Sequence, residues 1–300
     1  EGFAPGPVAE ADLRVEDRWV LSRLATVTQQ VTDALAAYQY AEAARAVYGF
    51  AWDEFCSFYV EMVKGRLQDP AERPTAQRVL AHTLDALLRL LHPMIPFLTE
   101  EVWHLLGEAA PQRGVDAPCP AAPSIMAAPW PQSDAARRDA QIEARFARFQ
   151  ELLRAVREIR ARQNVPPKTR LDFAVRCDEE TAVLLRPMEP YFVSMAGARP
   201  TAWGPAVEAP ALSANAALAG LEVFVDLAGL IDRDAEIARQ RDELGKLEAR
   251  IAAQQKKLAN ESFVARAPAA VVQKERDTLR DLEDQLAATQ AVLARLGAKT

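Results

Sequence analysis

The side chains best suited to covalent or metal chemistry are few and scattered. Three histidines, His82, His92 and His104, form no HExxH pair, and three cysteines, Cys56, Cys119 and Cys177, form no CxxC, so neither a zinc site nor a disulfide framework is written here. The twelve glycines yield no GxGxxG or GxxxxGK[ST] loop for cradling phosphates. No catalytic or metal-ligating set is therefore expected. What remains is concentrated positive charge. Between Gln150 and Arg170, Arg154, Arg157, Arg160, Arg162, Lys168 and Arg170 stand against only Glu151 and Glu158. Between Ala249 and Arg276, Arg250, Lys256, Lys257, Arg266, Lys274 and Arg276 stand against only Glu261 and Glu275. Such runs can neutralise a phosphate backbone, releasing counterions and making binding salt-dependent. They can equally be solvated helix faces. The formal net charge of -6 excludes a surface that coats nucleic acid at large, so each patch carries meaning only locally.

Aromatic side chains offer a second chemistry, stacking on unpaired bases, worth about 1 to 3 kcal/mol per base. Trp19, flanked by Arg18 and Arg23, sits beside the apolar stripe of its helix, so it either packs in a core or presents its ring outward. Tyr59, Trp52 and Trp103 are assigned to packing, and His92 and His104 to capping or packing at a helix junction.

The elements that must carry these residues follow from periodicity. Val20, Leu24, Val27, Val31 and Leu35 recur at helical spacing over 12–38. A second helix, about 41–66, shows Ala44, Val47, Tyr48, Ala51, Phe55, Phe58, Tyr59, Met62 and Val63 as a broad apolar face. A third ends at His92-Pro93, because proline disfavours helical geometry in the residue before it. A fourth covers about 97–106 and is expected to stop at Gly107. Six prolines make 111–131 an irregular crossing loop, and a fifth helix is expected over about 134–163, closed by Pro166-Pro167. Five helices with short links imply a bundle. The period then changes to two in LDFAVR (171–176) and LEVFVDL (221–227), with a helix expected between them over about 179–195. Finally Leu230, Ile237, Leu244, Ile251 and Leu258, then Val272, Leu279, Leu286 and Leu293, fall every seven residues. The interruption at ANESFVARAP (259–268) implies an antiparallel coiled-coil hairpin, each arm reaching about 40 Å at 1.5 Å per residue. The fold class expected is mostly α: a helical bundle (1–165), a small α+β linker module (166–230) and a C-terminal hairpin (231–300). No apolar run reaches the roughly 18 to 20 residues of a membrane span, and no signal peptide opens the chain, so a soluble cytoplasmic protein is expected.

DRWVLSRL (17–24), YAEAARAVYGFAWDEFCSFYVEMVK (40–64), LLHPMIPFLTEEVW (90–103), PWP (129–131), REIRARQNVPP (157–167) and FVARAPAAVVQKE (263–275) occur in that order. Together they resemble the carboxy-terminal part of the bacterial valyl-tRNA synthetases, class I aminoacyl-tRNA synthetases, over essentially the whole chain. HPMIPFLTEEVW alone is class-wide; EFCSFYVEMVK followed by a terminal hairpin points to valine. The resemblance implies a helical anticodon-binding domain, a linker module and an arm that packs on the outer corner of the tRNA. It implies that Val60 lies where the family places an apolar contact to an anticodon base, although a packed valine reads equally well. It makes Lys256, Lys257, Lys274 and Arg276 the arm's phosphate or elbow contacts; Arg250 and Arg266 are further tRNA-binding candidates on the arm, as are Arg18, Arg23, Arg154 and Arg157, with Trp19 as a stacking ring, on the bundle. Ala253 and Thr278 depart from relatives that can carry arginine there.

By the same resemblance, ATP and Mg belong to the parent enzyme, whose HIGH and KMSKS signatures and editing domain do not occur in this sequence. The implied partners are the valine tRNA and an upstream catalytic domain of the same enzyme, with no membrane and a monomeric state. The family also has a helix just before the position of Glu1, so an exposed apolar patch on the first two helices is expected. A stand-alone protein-interaction hairpin, or a free-standing tRNA-binding factor, is the alternative reading of the same residues.

Overall fold

The computed structural model describes residues 2–210, 212–228, 230, 233–259 and 269–295. The first helix, α1 (Val15–Ala36), begins where Asp17 accepts the Arg14 backbone N–H at 3.0 Å, satisfying a donor that the first turn leaves over. It buries Val20, Leu24, Val27 and Val31, the residues its periodicity selects. The second helical run starts as α2 (Tyr40–Tyr48), widens into a π-helix over Gly49–Tyr59, and returns to α geometry in α3 (Val60–Val63). Next come α4 (Arg73–Leu91) and α5 (Pro96–Ala109), each with proline in its first turn, where the missing N–H costs nothing. Contrary to expectation, Gly107 does not end α5. The backbone continues to Ala110, whose N–H reaches Leu106 O at 2.7 Å.

The crossing loop contains one two-stranded ladder, β1 (Gln112–Arg113) with β2 (Cys119–Pro120). Indole donors pin it down: Trp103 Nε1 donates to Ala122 O and Trp130 Nε1 to Thr32 Oγ1, both at 2.9 Å. The next helix, α6 (Ala140–Arg162), starts later than its periodicity suggests, because Asp139, not Asp134, accepts the N–H groups of Gln141 and Ile142. It ends with Asn164 in the left-handed region at φ 52°, a conformation asparagine tolerates.

The α+β segment carries two strands beyond those read from alternation. β3 (Leu171–Cys177), β4 (Ala198–Trp203), β5 (Ser213–Leu218) and β6 (Leu221–Asp226) form one sheet in the order β4-β3-β6-β5. β3 and β4 are parallel, and the connection between them contains α7 (Glu179–Leu185) and α8 (Glu189–Ala196); the other pairings are antiparallel. Two long helices close the chain, α9 (Arg233–Leu258) and α10 (Ala269–Arg295). Leu247, Ile251 and Leu282 form their buried seam, flanked by Leu279 and Leu286. Gln254 of α9 donates to Glu275 of α10, further from Leu282 in the reverse sense, so the pair is antiparallel as expected.

Two compact units emerge, one of 1–151 with 187–196, the other of 152–186 with 197–300. In the first, Phe149 meets Phe192 edge-on at 4.8 Å, and Trp19, Phe146 and Tyr59 are sealed in the core. A buried charge network holds its base. Arg66 Nη1 lies 2.8 Å from both Glu16 Oε1 and Asp17 Oδ1, Tyr59 OH donates to Asp17 Oδ1 at 2.7 Å, and Tyr191 OH donates to Glu16 Oε2 at 2.6 Å. Tyr38, in the turn after α1, and Tyr40, Tyr48 and Trp52, on the second helical run, lie exposed. Trp52, assigned to packing by sequence, is thus corrected: it is 60% exposed.

Candidate nucleic-acid interface

The structure divides the residues expected to touch RNA into internal struts and accessible groups. Trp19 is 2% exposed and lies parallel over Phe146, ring centroids 4.5 Å apart, so neither face is open to a base. The stacking reading of Trp19 is therefore replaced by a packing role. Arg23 is likewise a strut. Its Nε and Nη2 donate to the Glu54 carboxylate at 2.7 and 2.9 Å, and Nη1 to Glu143 at 2.9 Å. Burial works against its charge, but Glu54 and Glu143 outweigh that and hold its pKa above the ordinary guanidinium value. A guanidinium held by two carboxylates has little to offer a phosphate. Arg18, five residues earlier on α1, is exposed.

In the 150–170 patch one residue also turns inward. Arg160 is 9% exposed and donates to the carbonyls of Pro166 and Thr169 at 2.8 and 2.7 Å, bracing the turn after α6. Arg154, Arg157, Arg162, Lys168 and Arg170 stay exposed. Arg154 and Arg157 fall in the second compact unit, whereas Arg18 and Val60 fall in the first.

Val60 is half-buried and lines a cavity of about 670 Å³ in the first unit, with Phe3, Phe55, Leu80, Leu84 and Leu106 among its walls. The apolar lining can receive a planar ring, and the volume exceeds what one base needs. Sequence reasoning singled out Val60 but not its companions. Leu80 and Leu84 lie on α4, and periodicity names a helix face without saying whether another element fills it.

On the hairpin, Arg250, Lys256, Lys257 and Arg276 are all exposed. Lys257 Nζ lies 2.8 Å from Glu275 Oε1, so part of its charge is spent within the hairpin. Lys274 lies in α10, with its side chain outside what is described, and Arg266 lies outside the described residues. Arg280, one turn beyond Arg276, is exposed as well and was missed because it falls outside the densest run. Ala253 and Thr278 are exposed, where a longer basic side chain would extend the patch.

In chain order the architecture is a helical bundle with an apolar cavity, a small sheet module and a hairpin with exposed basic side chains. The family model for the anticodon-binding domain of tRNA ligase matches residues 17–175, and that for the valyl tRNA synthetase tRNA binding arm matches 232–297. Similar relatives include the valine-tRNA ligase of Rhodopirellula baltica, 49% identical over 100% of this chain and 29% of that protein. Those of Syntrophotalea carbinolica and Thermotoga maritima are 38% and 36% identical, over 99% and 95% of this chain and 33% and 31% of theirs. The chain belongs to the valine-tRNA ligase family. It spans about a third of the length of these relatives.

Among the described residues no group of three or more His, Cys, Asp or Glu is placed to hold a metal ion, and no helix is long and apolar enough to cross a membrane. The sequence has no phosphate-cradling glycine loop and the described residues hold no such acidic group, so the described residues do not fit a nucleotide-magnesium site, and no chemical step is assigned to them.

Proposed function

We propose that this chain is the tRNA-recognising portion of a valine-tRNA ligase, serving an ATP-dependent aminoacylation carried out by residues outside it. The exposed basic side chains of the hairpin, on the segment matched by the tRNA-binding arm, carry this reading. The hairpin reads the backbone and shape of the tRNA's outer corner, through Arg250, Lys256, Lys257, Lys274, Arg276 and Arg266. The bundle receives unpaired anticodon bases, which expose flat apolar faces and polar edges once unstacked. The cavity beside Val60 supplies apolar contact to such a base, and Arg18 supports the adjoining backbone. Arg154 and Arg157 add phosphate contacts from α6. Functionally the three segments 1–165, 166–230 and 231–300 act as anticodon reader, linker and arm. Binding energy spent so far from the reacting ester bond orients the acceptor end, which raises the rate only if that orientation persists in the transition state. A monomer working in the cytoplasm beside its catalytic domain fits this role.

Fluorescence anisotropy with a valine tRNA transcript, and with the same transcript carrying an altered anticodon, tests the proposal. The expected result is binding of both, with a modest preference for the valine anticodon that Val60→Asp removes. Equal binding of the two transcripts by the native chain would remove anticodon reading from the bundle, and failure to bind either would refute the proposal.

A further inference from the structure

Arg113 is the least satisfied charged group in the first compact unit. It is 4% exposed, on the short strand β1, and its guanidinium carbon sits 4.1 Å above the centroid of the Trp103 ring. A ring face attracts the cation but leaves the in-plane N–H groups without acceptors. Nε lies 3.2 Å from Asp85 Oδ2 without hydrogen-bond alignment, and Nη1 and Nη2 are sealed from solvent with no acceptor among the described residues. Asp85 is also shared. It accepts from Arg89 Nη2, while Arg89 Nη1 donates to Pro129 O and Arg89 Nε is sealed and unmatched.

Two guanidinium groups thus share one carboxylate in an enclosed corner between α4, α5 and the crossing loop. Arginine does not shed its proton at any accessible pH, so the excess positive charge cannot be relieved by titration. Cys119, opposite Arg113 in the β1-β2 ladder, does not supply the missing charge, because its thiol is turned to the Arg113 carbonyl at 3.8 Å. Burial pulls the Arg113 pKa down, Asp85 opposes this, and Arg89 adds to it, in keeping with an uncompensated cation.

We propose that Arg113 binds a small inorganic anion of chloride's size, held in the plane of its Nη1 and Nη2 donors. A water molecule would occupy the donors but leave the net charge, whereas a monovalent anion answers both deficits. The near-complete enclosure of the side chain, 3% exposed, selects a compact ion over a polyatomic phosphate. The bound ion fixes β1 and the crossing loop against Trp103 and Asp85, and it is independent of tRNA binding.

Bromide soaked into crystals of the full 300-residue chain tests this directly. An anomalous peak within hydrogen-bond distance of Arg113 Nη1 and Nη2 is expected; ordered water there without anomalous signal overturns the proposal. In solution, replacing sodium gluconate by sodium chloride at fixed ionic strength should raise the melting temperature by about 3 to 5 °C per tenfold rise in chloride above its Kd. Arg113→Met, where it folds, should lose that dependence. Equal melting of the native chain in both salts also overturns it, whether or not the variant folds.

Discussion

Replacing Arg250, Lys256 and Arg276 together by alanine separates a phosphate-binding arm from a merely solvated one. All three are exposed, and none takes part in an ion pair among the described residues, so their charge is available to an incoming backbone. Each phosphate neutralised on a duplex contributes about 0.9 to the slope of log K against log salt. If all three act, the slope should flatten by up to about 2.7, and from roughly 50 to 200 mM salt the native chain should lose about fortyfold more affinity than the variant. Lys257 provides an internal comparison. Because it already faces Glu275 at 2.8 Å, Lys257→Ala should change the slope less than any one of the three. Arg23→Ala provides the opposite control, lowering stability through Glu54 and Glu143 while leaving the slope unchanged. The assay is anisotropy titration of labelled valine tRNA across that salt range, with melting curves to show that each variant is folded. A folded triple variant with the native slope would refute the assignment of these side chains to the backbone.

Arg66→Met should destabilise the first unit by about 3 to 5 kcal/mol, since Glu16 and Asp17, both 0% exposed, would lose their buried cation; urea unfolding within 1 kcal/mol of native would contradict this. Tyr59→Phe should cost less, about 1.5 to 3 kcal/mol, for one hydrogen bond to a charged group, read from the same unfolding curves. Burial lowers the His82 pKa from 6.5 to about 4, so the folded state resists a proton that the unfolded chain accepts. Stability should therefore fall as pH drops from 6.5 toward 4, by up to about 3 kcal/mol from this residue, and His82→Asn should flatten that part of the profile. Trp19→Ala should lower stability by about 3 to 5 kcal/mol through loss of the Phe146 stack and leave the salt slope of RNA binding unaltered.

The helices and the hairpin were legible because each buries a stripe whose spacing is local. Val20, Val27 and Val31 declare α1 in the sequence and are at most 1% exposed in the fold. Ile251, Leu279 and Leu286, members of the seven-residue series, likewise fall in the seam between α9 and α10. Strands β4 and β5 were not legible. Apart from buried Ala198, their residues, ARPTAW and SANAAL, have exposed or half-buried side chains on outer strands of the sheet and little strand propensity; β4 finds its partner β3 some 27 residues earlier, and β5 is held as the hairpin neighbour of the apolar strand β6. The site was half legible for a related reason. Charge density found the hairpin's basic face, but the sequence of Arg23 or Arg160 cannot say that a carboxylate from a distant helix, or the carbonyls of a following turn, will claim the guanidinium first.

The π-helix at Gly49–Tyr59 shows how such a shift reaches the candidate site. Read as an α-helix, the second apolar run places Tyr48 and Ala51 on the face of Val47 and Phe55. In the structure the buried residues are Ala43, Val47, Phe50, Phe55, Phe58, Tyr59, Met62 and Val63, with a step of five between Phe50 and Phe55. That step matches a wider turn, and the Val60 N–H accordingly reaches back to Phe55 O, five residues earlier. Ser57 Oγ fits the same geometry, donating to Trp52 O at 2.6 Å. The extra residue in the turn leaves Tyr48 and Trp52 facing outward, and Phe55 and Val60 together at the cavity wall. A strict α-helix through 49–59 would rotate Val60 away from Phe55 by the phase of about one residue, roughly 100°. The cavity proposed to receive an anticodon base therefore depends on a backbone irregularity that an α-helical period cannot predict, but that the five-residue step between two phenylalanines records.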